Sequence, residues 1–371
     1  MGSRKAVVAM SGGVDSSVAA CLLHEQGYEV VGLFMRVGAT LPEQSPETAQ
    51  RLHQGCCSAA DAADARFIAG MLGIGFYTLS VQADFERIID YFVDEYGAGR
   101  TPNPCVVCNQ DLKFGKLVGY ADAVGADFIA TGHYARVETR DGHRRLCKAV
   151  DERKDQSYVL FGVERSALSR MLLPIGRLTK KQVRAEAARF GLPVRDKPGS
   201  VEICFVPDRN YARLVRRRRP EVFRPGDVFD AQGKVVGRHQ GLPNFTIGQR
   251  RGLGIAAGHP LYVTRLNVAD NTVTVGDRAA LQRRSFVVEG LRFLVDPPAG
   301  AFRADVKIRY QHRAAPATVE LGDDGSALIT FDEPQSAITP GQAAVFYDSD
   351  VVLGGGWIDR TITNSKTANC E

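Results

Sequence analysis

Along the first half of the chain, short apolar runs alternate with stretches whose apolar residues recur at helical spacing. Ala6-Val7-Val8-Ala9-Met10 predicts a strand, and after a glycine-rich turn Val18, Ala19, Leu22 and Leu23 predict a helix. Val30 to Met35 and Phe76 to Val81 predict further strands, Phe85 to Tyr96 a helix, and Phe128 to Thr131 a fourth strand. Ser58 with Asp61, and Thr179 with Gln182, have the capping-box spacing that opens a helix; the first of these helices runs to about Met71. The polar segment 38–57, with Pro42 and Pro46, predicts a loop. Strands separated by helices predict a parallel sheet covered on both faces and joined by right-handed crossovers.

Beyond residue 206 the pattern changes. A helix over 208–219 is followed by short, glycine-punctuated runs. In Arg303 to Tyr310 charged and apolar residues alternate, the period of a half-buried strand. Similar runs at 261–268, 285–294, 315–321, 326–331 and 343–347 predict an antiparallel barrel or sandwich. The expected organisation is an α/β catalytic domain over 1–206, a small basic central domain over 207–277, a C-terminal antiparallel β-barrel over 278–363 and a tail over 364–371.

A length of 371 residues suits two or three domains, and 44% hydrophobic with 24% charged residues excludes a disordered chain, a collagen-like repeat or a coiled-coil rod. No apolar run approaches the roughly 18 residues that span a bilayer. Met1-Gly2-Ser3-Arg4-Lys5 leads straight into the first strand, which argues against a secretory signal and for the cytoplasm. There the 8 cysteines are expected as thiols, too sparse for a disulfide scaffold and suited to redox, sulfur or metal chemistry. The net charge of +5 hides a concentration: residues 207–251 carry eleven basic side chains against four acids, a local charge of +7. Such a patch suits a polyanion such as nucleic acid; the plainer reading is a solvated arginine-rich helix end at Arg216 to Arg219.

Between the first strand and first helix lies Met10-Ser11-Gly12-Gly13-Val14-Asp15-Ser16-Ser17. Two glycines permit a tight turn that brings backbone N–H groups near a ligand, and two serine hydroxyls with a helix N-terminus suit phosphate oxygens. No GxxxxGK[ST] is present, so this is not a loop built for γ-phosphate transfer. The octet resembles the PP-loop of the N-type ATP pyrophosphatases, which adenylate an oxygen and release pyrophosphate. That implies a nucleotide-binding α-hydrolase-like fold with ATP, and Mg²⁺ to offset the charge of the leaving pyrophosphate. It leaves open synthetases of small metabolites as well as tRNA thiolases.

A second dense feature is Gly99 to Asn109, with Cys105-Val106-Val107-Cys108 after two prolines, which predicts a stiff loop. Far downstream, Cys204 lies in the apolar run Ile203-Cys204-Phe205-Val206. Alone, a Cys-x-x-Cys is half a zinc site and Cys204 a small buried hydrophobe. No second Cys-x-x-Cys and no suitably spaced His pair accompanies them, though Cys56-Cys57 offers further thiols. Together with Gly32-Leu33-Phe34-Met35, Thr131-Gly132-His133-Tyr134, Lys154-Asp155-Gln156-Ser157-Tyr158, Gly237 to Gly241, Thr246 to Arg250 and Pro340-Gly341-Gln342, these segments resemble the tRNA-specific 2-thiouridylase family (MnmA and its mitochondrial counterpart TRMU) over nearly the whole chain.

The resemblance implies ATP-dependent 2-thiolation of the wobble uridine of tRNA, with tRNAs for Lys, Glu and Gln as substrates and a persulfide donor, such as a desulfurase or sulfur-relay protein, as partner. It implies that Cys204 carries the persulfide and Cys108 is the nucleophile, the pair passing through a transient disulfide. It assigns Ala9, Met10, Ser11, Gly12, Gly13, Val14, Asp15, Ser16, Met35 and Gly132 to ATP. Asn103, Pro104 and Cys105 fall next to the target base, and His133, Lys154, Asp155, Gln156, Arg309, Tyr310 and Gln342 at tRNA contacts. Cys105 departs from the family pattern, in which aspartate is often found and credited with acid or base work on the base. Three thiols, Cys105, Cys108 and Cys204, also allow an iron–sulfur cluster with one iron open to sulfide. The competing readings are another PP-loop ligase or amidotransferase acting on a small metabolite, and an inactive tRNA-binding scaffold.

Overall fold

The structure, a computed structural model, describes residues 4–38, 58–198, 203–206 and 208–362. The chain divides into two compact units: Met1–Ile88, Pro104–Asn210 and Asp350–Val352 form the first, and Ile89–Asn103, Tyr211–Ser349 and Leu353–Glu371 the second. The expected loop at 38–57 and the cysteines Cys56, Cys57 and Cys370 lie, apart from Gly38, outside the described residues.

The strands up to residue 172 are β1 (Lys5–Ala9), β2 (Glu29–Arg36), β3 (Gly75–Ser80), β4 (Phe128–Ala130), the hairpin β5 (Ala135–Arg140) and β6 (His143–Lys148), and β7 (Met171–Leu172). Five of them form a parallel sheet in the order β3-β2-β1-β4-β7. Neighbours along a strand face opposite sides, and Val7 and Val8 of β1 are both fully buried, so both faces are covered as expected. The helices are α1 (Val14–Glu25), α2 (Ala59–Leu72), α3 (Gln82–Gly97), α4 (Pro104–Val107), α5 (Gly115–Ala123), α6 (Arg165–Arg170), α7 (Lys180–Arg189) and α8 (Tyr211–Arg218). Val18 and Ala19 of α1, Ile68 of α2 and Val183 of α7 share one core. Both expected capping boxes are formed, Ser58 with Asp61 on α2 and Thr179 with Gln182 on α7.

Two features differ from the sequence expectation. The stiff loop predicted through Asn109 ends at Asn103, and Pro104 opens a helical run: α4, a π-helical segment Cys108–Phe114, then α5. Proline tolerates the first helical position because its missing N–H would have no intrahelical partner there. The hairpin β5–β6 was not legible, because charged residues dominate its visible face. Arg136 bonds Glu138 and Asp350, Arg140 bonds the same two carboxylates, and Arg177 bonds Glu138. The Arg140 and Arg136 guanidiniums hold the Asp350 carboxyl down at about 2. Glu138, Cys147 and Asp350 bring metal-ligand atoms within 4.8 Å of one another, but the three guanidiniums already engage those carboxylates and make this an ion-pair network.

The second unit holds two sheets. β8 (Gly226–Phe229), β9 (Val235–His239), β10 (Tyr262–Asn267) and β11 (Thr272–Gly276) form a four-stranded sheet, order β10-β11-β8-β9, over Val228, Val263, Val273 and Phe245. The barrel strands are β12 (Gln282–Phe293), β13 (Ala301–Lys307), β14 (Ala315–Leu321), β15 (Ala327–Ser336), β16 (Ala343–Asp348) and β17 (Val351–Ile362), in the order β12-β15-β14-β13-β16-β17. Antiparallel pairing of β12 with β17 closes the ring, which decides for a barrel over a sandwich. Its interior holds Phe286, Val306, Val319, Ile329, Phe331 and Phe346. β17 escaped the sequence reading because Gly354-Gly355-Gly356 resembles a turn. A Cβ at Gly354 would lie 2.2 Å from Arg292 O, so closure requires glycine there.

Part of the +7 stretch is neutralised within this unit. Arg218 pairs with Asp90 and Arg219 with Asp94 of α3, and the Arg216 guanidinium lies 4.2 Å from the centre of the Phe223 ring. Among the described residues no helix is long and apolar enough to cross a membrane.

Candidate active site

In an open parallel sheet, ligands bind beyond the carboxyl ends of the strands where the strand order reverses. Here that point lies between β1 and β4, and the residues beyond both strand ends belong to motifs singled out above. Met10 to Gly13 link β1 to α1, with Gly13 as the N-cap and Asp15 in the first turn of the helix. Ser11 N donates to Ser16 Oγ at 3.1 Å, and the Ser17 hydroxyl donates to Gly13 O at 2.8 Å. The loop is therefore closed on itself, while the helix end that follows carries a positive dipole. Gly12 adopts φ +70°, and a Cβ there would lie 2.1 Å from Asp61 O. Beyond β4, a Cβ on Gly132 would lie 2.6 Å from Ser16 N. Glycine at both positions lets two backbones approach the start of α1 and leaves its N–H groups uncovered. Ala9 ends β1, and Met35 lies on the adjacent strand β2, 9% exposed.

Three side chains at this loop were not picked out from the sequence. Lys180, the first residue of α7, places Nζ 2.7 and 2.8 Å from the two Asp15 carboxylate oxygens. The Tyr134 hydroxyl donates to Asp15 Oδ1 at 2.7 Å. Burial, and then the Asp15 charge, push the Tyr134 phenol far up, which keeps it a donor. Lys197 Nζ binds Gly12 O at 3.1 Å, Asp61 Oδ1 at 2.6 Å and Asp64 Oδ2 at 2.8 Å. Burial alone would lower the Lys197 ammonium pKa, but those two carboxylates more than reverse it, so it stays charged. Only Tyr134 lay in a motif quoted for its pattern; the lysines had no local signal.

These cations carry a testable expectation. Lys180→Met leaves the Asp15 carboxylate without its ammonium at the start of α1. The loss of a charged hydrogen bond, worth about 1.5–3 kcal/mol, is expected to weaken ATP binding about ten- to a hundredfold. Equilibrium ATP titration checks this, and unchanged affinity would remove Lys180 from the nucleotide site.

Two further motifs reach the same place. Gln156 Oε1 accepts from Tyr134 N at 2.8 Å and Gln156 N donates to Tyr134 O at 2.7 Å. Three residues on, Val159 O accepts from Asn109 Nδ2 at 3.2 Å. The Phe114 ring, at the end of the π segment that Cys108 begins, lies 6.0 Å from the His133 ring, next to Gly132. Through Tyr134, Gln156 and Val159, Asp15 at the start of α1 is therefore connected to Asn109, the chain neighbour of Cys108, within the first unit. Asn109 is 2% exposed and its Oδ1 has no partner among the described residues, a buried acceptor beside Cys108 of the kind that a bound donor satisfies. π segments are frequent at functional sites, and no sequence period reveals them.

Cys105 is exposed on the first helical turn after Pro104, and Cys108 is half-buried one turn later. Cys204 is half-buried in the same unit, and the ring of its neighbour Phe205 meets Phe85 at 5.7 Å. By contrast burial pushes the thiols of Cys21 and Cys147 up to about 11, which makes them poor nucleophiles. Of the tRNA positions implied by resemblance, Lys154 and Tyr310 are exposed. Others have bonds inside the protein. Asp155 Oδ1 accepts from Ala149 N at 2.9 Å, and His133 Nδ1 is 2.8 Å from Thr131 Oγ1. In the second unit Arg309 donates to Ser336 O, and Gln342 Nε2 donates to Thr101 O and Pro102 O. Gln342 thus fastens the Thr101-Pro102 segment that runs into Asn103 and Pro104.

Three family models match the chain: a tRNA methyl transferase HUP domain over residues 4–208, a tRNA methyl transferase PRC-barrel domain over 214–277 and an aminomethyltransferase beta-barrel domain over 283–358. The chain is 45% identical to the tRNA-specific 2-thiouridylase MnmA of Clostridium perfringens, over 98% of this chain and 100% of that one. The chain belongs to the tRNA-specific 2-thiouridylase family. Other members, from Carboxydothermus hydrogenoformans and Geotalea uraniireducens, are 46% and 47% identical, each over 98% of this chain and over 99% and 97% of their own lengths. Among solved structures, a U34-tRNA thiolase from Methanococcus maripaludis is 17% identical with a TM-score of 0.35, covering 59% of this chain and 69% of that one, a likeness too distant to bear on function.

Proposed function

We propose that this protein is an ATP-dependent tRNA-uridine 2-sulfurtransferase acting on the wobble uridine. The observation that carries the reading is the network linking the phosphate loop to the helix of Cys108 in a chain of this family. The three matching domain families are named for methyl or aminomethyl transfer. A loop built for phosphates together with two half-buried thiols suits activation by adenylation and delivery of sulfur instead.

The chemistry follows from the poor leaving ability of a pyrimidine 2-oxygen. That oxygen attacks the α-phosphorus of ATP, pyrophosphate departs, and the oxygen becomes part of a good leaving group. The start of α1, with Ser11 to Ser16, holds the phosphates, and Lys180 and Lys197 supply charge around them. Asp15 would hold Mg²⁺, which would supply positive charge to offset that on the departing pyrophosphate. Cys204 carries a persulfide loaded by a donor. The Cys108 thiolate attacks the inner sulfur of Cys204, forming the Cys108–Cys204 disulfide and releasing hydrosulfide. Hydrosulfide adds to C2 and AMP leaves with the former 2-oxygen. A dithiol reductant supplies two electrons to reopen the disulfide. Reaching C2 requires the base to leave its stack. The substrates are the tRNAs for Lys, Glu and Gln.

Mass spectrometry of nucleosides from tRNA incubated with the protein, ATP, Mg²⁺ and a persulfide source tests this. Expected is 2-thiouridine at the wobble position, absent when any one component is withheld; no 2-thiouridine in the full mixture would overturn the reading. Iron and sulfide analysis of anaerobically purified protein separates the persulfide route from a cluster on Cys105, Cys108 and Cys204. A colourless, active enzyme supports the persulfide.

A further inference from the structure

Three cysteines of the first unit differ in access: Cys105 is exposed, whereas Cys108 and Cys204 are half-buried. Both half-buried thiols sit on anchored backbone. Cys204 lies on a turn over 203–206 that Val206 N closes by donating to Ile203 O at 3.0 Å, and buried Phe205 and Val206 pin that turn to the core. On α4, Pro104 and Val106 are buried, and Asn109, next to Cys108, is tied to Val159 O. Cys105 and Cys108 are three residues apart on one continuous helical run. Helix geometry puts such residues on the same side with Cα atoms about 5 Å apart. Disulfides span about 4.4–6.8 Å between Cα atoms, so these two are placed to bond. Cys21 and Cys147 are buried and have no such access.

We propose that Cys105 is the resolving thiol of the sulfur cycle, which frees Cys204 for its next load and presents the disulfide to a reductant. The proposal rests on the persulfide route above and adds a step to it. Once hydrosulfide has left, Cys108 and Cys204 share a disulfide. The Cys105 thiol gives its proton to water, and its thiolate attacks Cys108 Sγ. The Cys105–Cys108 bond forms, the Cys108–Cys204 bond breaks, and Cys204 departs as a thiolate, with no net change in oxidation state. A dithiol reductant then attacks the exposed Cys105 sulfur, supplies two electrons and ends as its own disulfide. Attack from three residues away is intramolecular, which favours it over attack by a solute on a half-buried bond. The step also keeps two reagents apart. A reductant that reached Cys204 would reduce its persulfide and waste the sulfur, whereas Cys105 confines reduction to the surface and leaves Cys204 to the donor.

The test follows 2-thiouridine formed per chain by the full-length protein with tRNA, ATP, Mg²⁺, an excess of persulfide-loaded cysteine desulfurase and a small dithiol protein as reductant. Cys105→Ser removes the thiol; Cys105→Asp removes it while keeping an acid or base at the position. The parent is expected to continue through many turnovers, and both variants to stop after about one product per chain. Dithiothreitol, small enough to reach a half-buried bond, should restart them, which a misfolded variant would not do. Counting products per chain keeps any change in the rate of the first turnover out of the comparison. Without reductant, acid quenching, alkylation and peptide mapping should find a Cys105–Cys108 disulfide in the parent and Cys108–Cys204 in the variants. Sustained turnover by either variant with the dithiol protein overturns the proposal, and so does a parent whose mapped disulfide is Cys108–Cys204. An active parent carrying iron and sulfide on the three cysteines overturns it as well. If the parent forms no 2-thiouridine, the functional reading fails and the relay with it; if the parent turns over and the variants match it, only the relay fails.

Discussion

Cys204→Ser and Cys108→Ser are each expected to lower the yield of 2-thiouridine by on the order of 10³-fold or more, while ATP–pyrophosphate exchange in the presence of tRNA persists. Removal of a group that forms a covalent bond in the reaction typically costs that much, and losses of two such groups are far from additive. The double variant should therefore be little worse than either single one. The split between the two half-reactions is the informative part. Adenylation needs the phosphate loop and the base but no thiol, so exchange reports on Ser11 to Ser16, whereas sulfur transfer needs both cysteines. Serine keeps the size of the side chain but cannot hold a persulfide, and its hydroxyl is a poor nucleophile at neutral pH. Quantitative nucleoside analysis, with radiolabelled pyrophosphate exchange alongside, checks the expectation. Substantial thiolation by Cys204→Ser with a persulfide donor would remove Cys204 as the sulfur carrier.

Gly132→Ala is the second large expectation, and it acts on the other half-reaction. The added methyl group would lie 2.6 Å from Ser16 N, 2.7 Å from Asp15 C and 2.8 Å from Ser16 Cα. All three are backbone atoms at the start of α1, so no flexible side chain can yield. The Ser16 N–H is also one of the orphan donors at that helix end, and a methyl group over it blocks an oxygen that would otherwise accept from it. Overpacking of this kind costs about 1–3 kcal/mol, which translates into roughly ten- to a hundredfold weaker ATP binding. ATP titration together with a thermal melt decides: native-like ATP affinity in a folded variant would place the nucleotide elsewhere.

Much of the local structure around this loop was legible in the sequence. The phosphate loop is local in sequence, because a strand, two glycines, two serines and a helix start lie within a dozen residues and each has a stereochemical reason. Capping boxes are equally local, and both formed at the residues expected. The alternation beyond residue 260 found most of the barrel strands. It missed β17, whose glycines serve ring closure rather than a turn, and the β5–β6 hairpin, whose charged face pairs with Asp350 across more than 200 positions. The arginine-rich stretch was legible as charge, but its partial neutralisation by Asp90 and Asp94 was not.

The sequence by itself thus determined most of the elements and the strand–glycine–helix form of the loop before α1, since these rest on spacing within a few residues, whereas the expectation of a paired Cys108 and Cys204 came from family resemblance. Tertiary structure decided what surrounds them. Lys180 reaches Asp15 across 165 positions and Lys197 reaches Gly12 across 185. It also set the π segment that begins at Cys108 and the burial of Asn109 beside it. Periodicity encodes which face of an element is buried and local composition encodes a turn, but neither encodes which distant cation meets which carboxylate. That depends on the sheet order, which places the ends of β1 and β4 side by side.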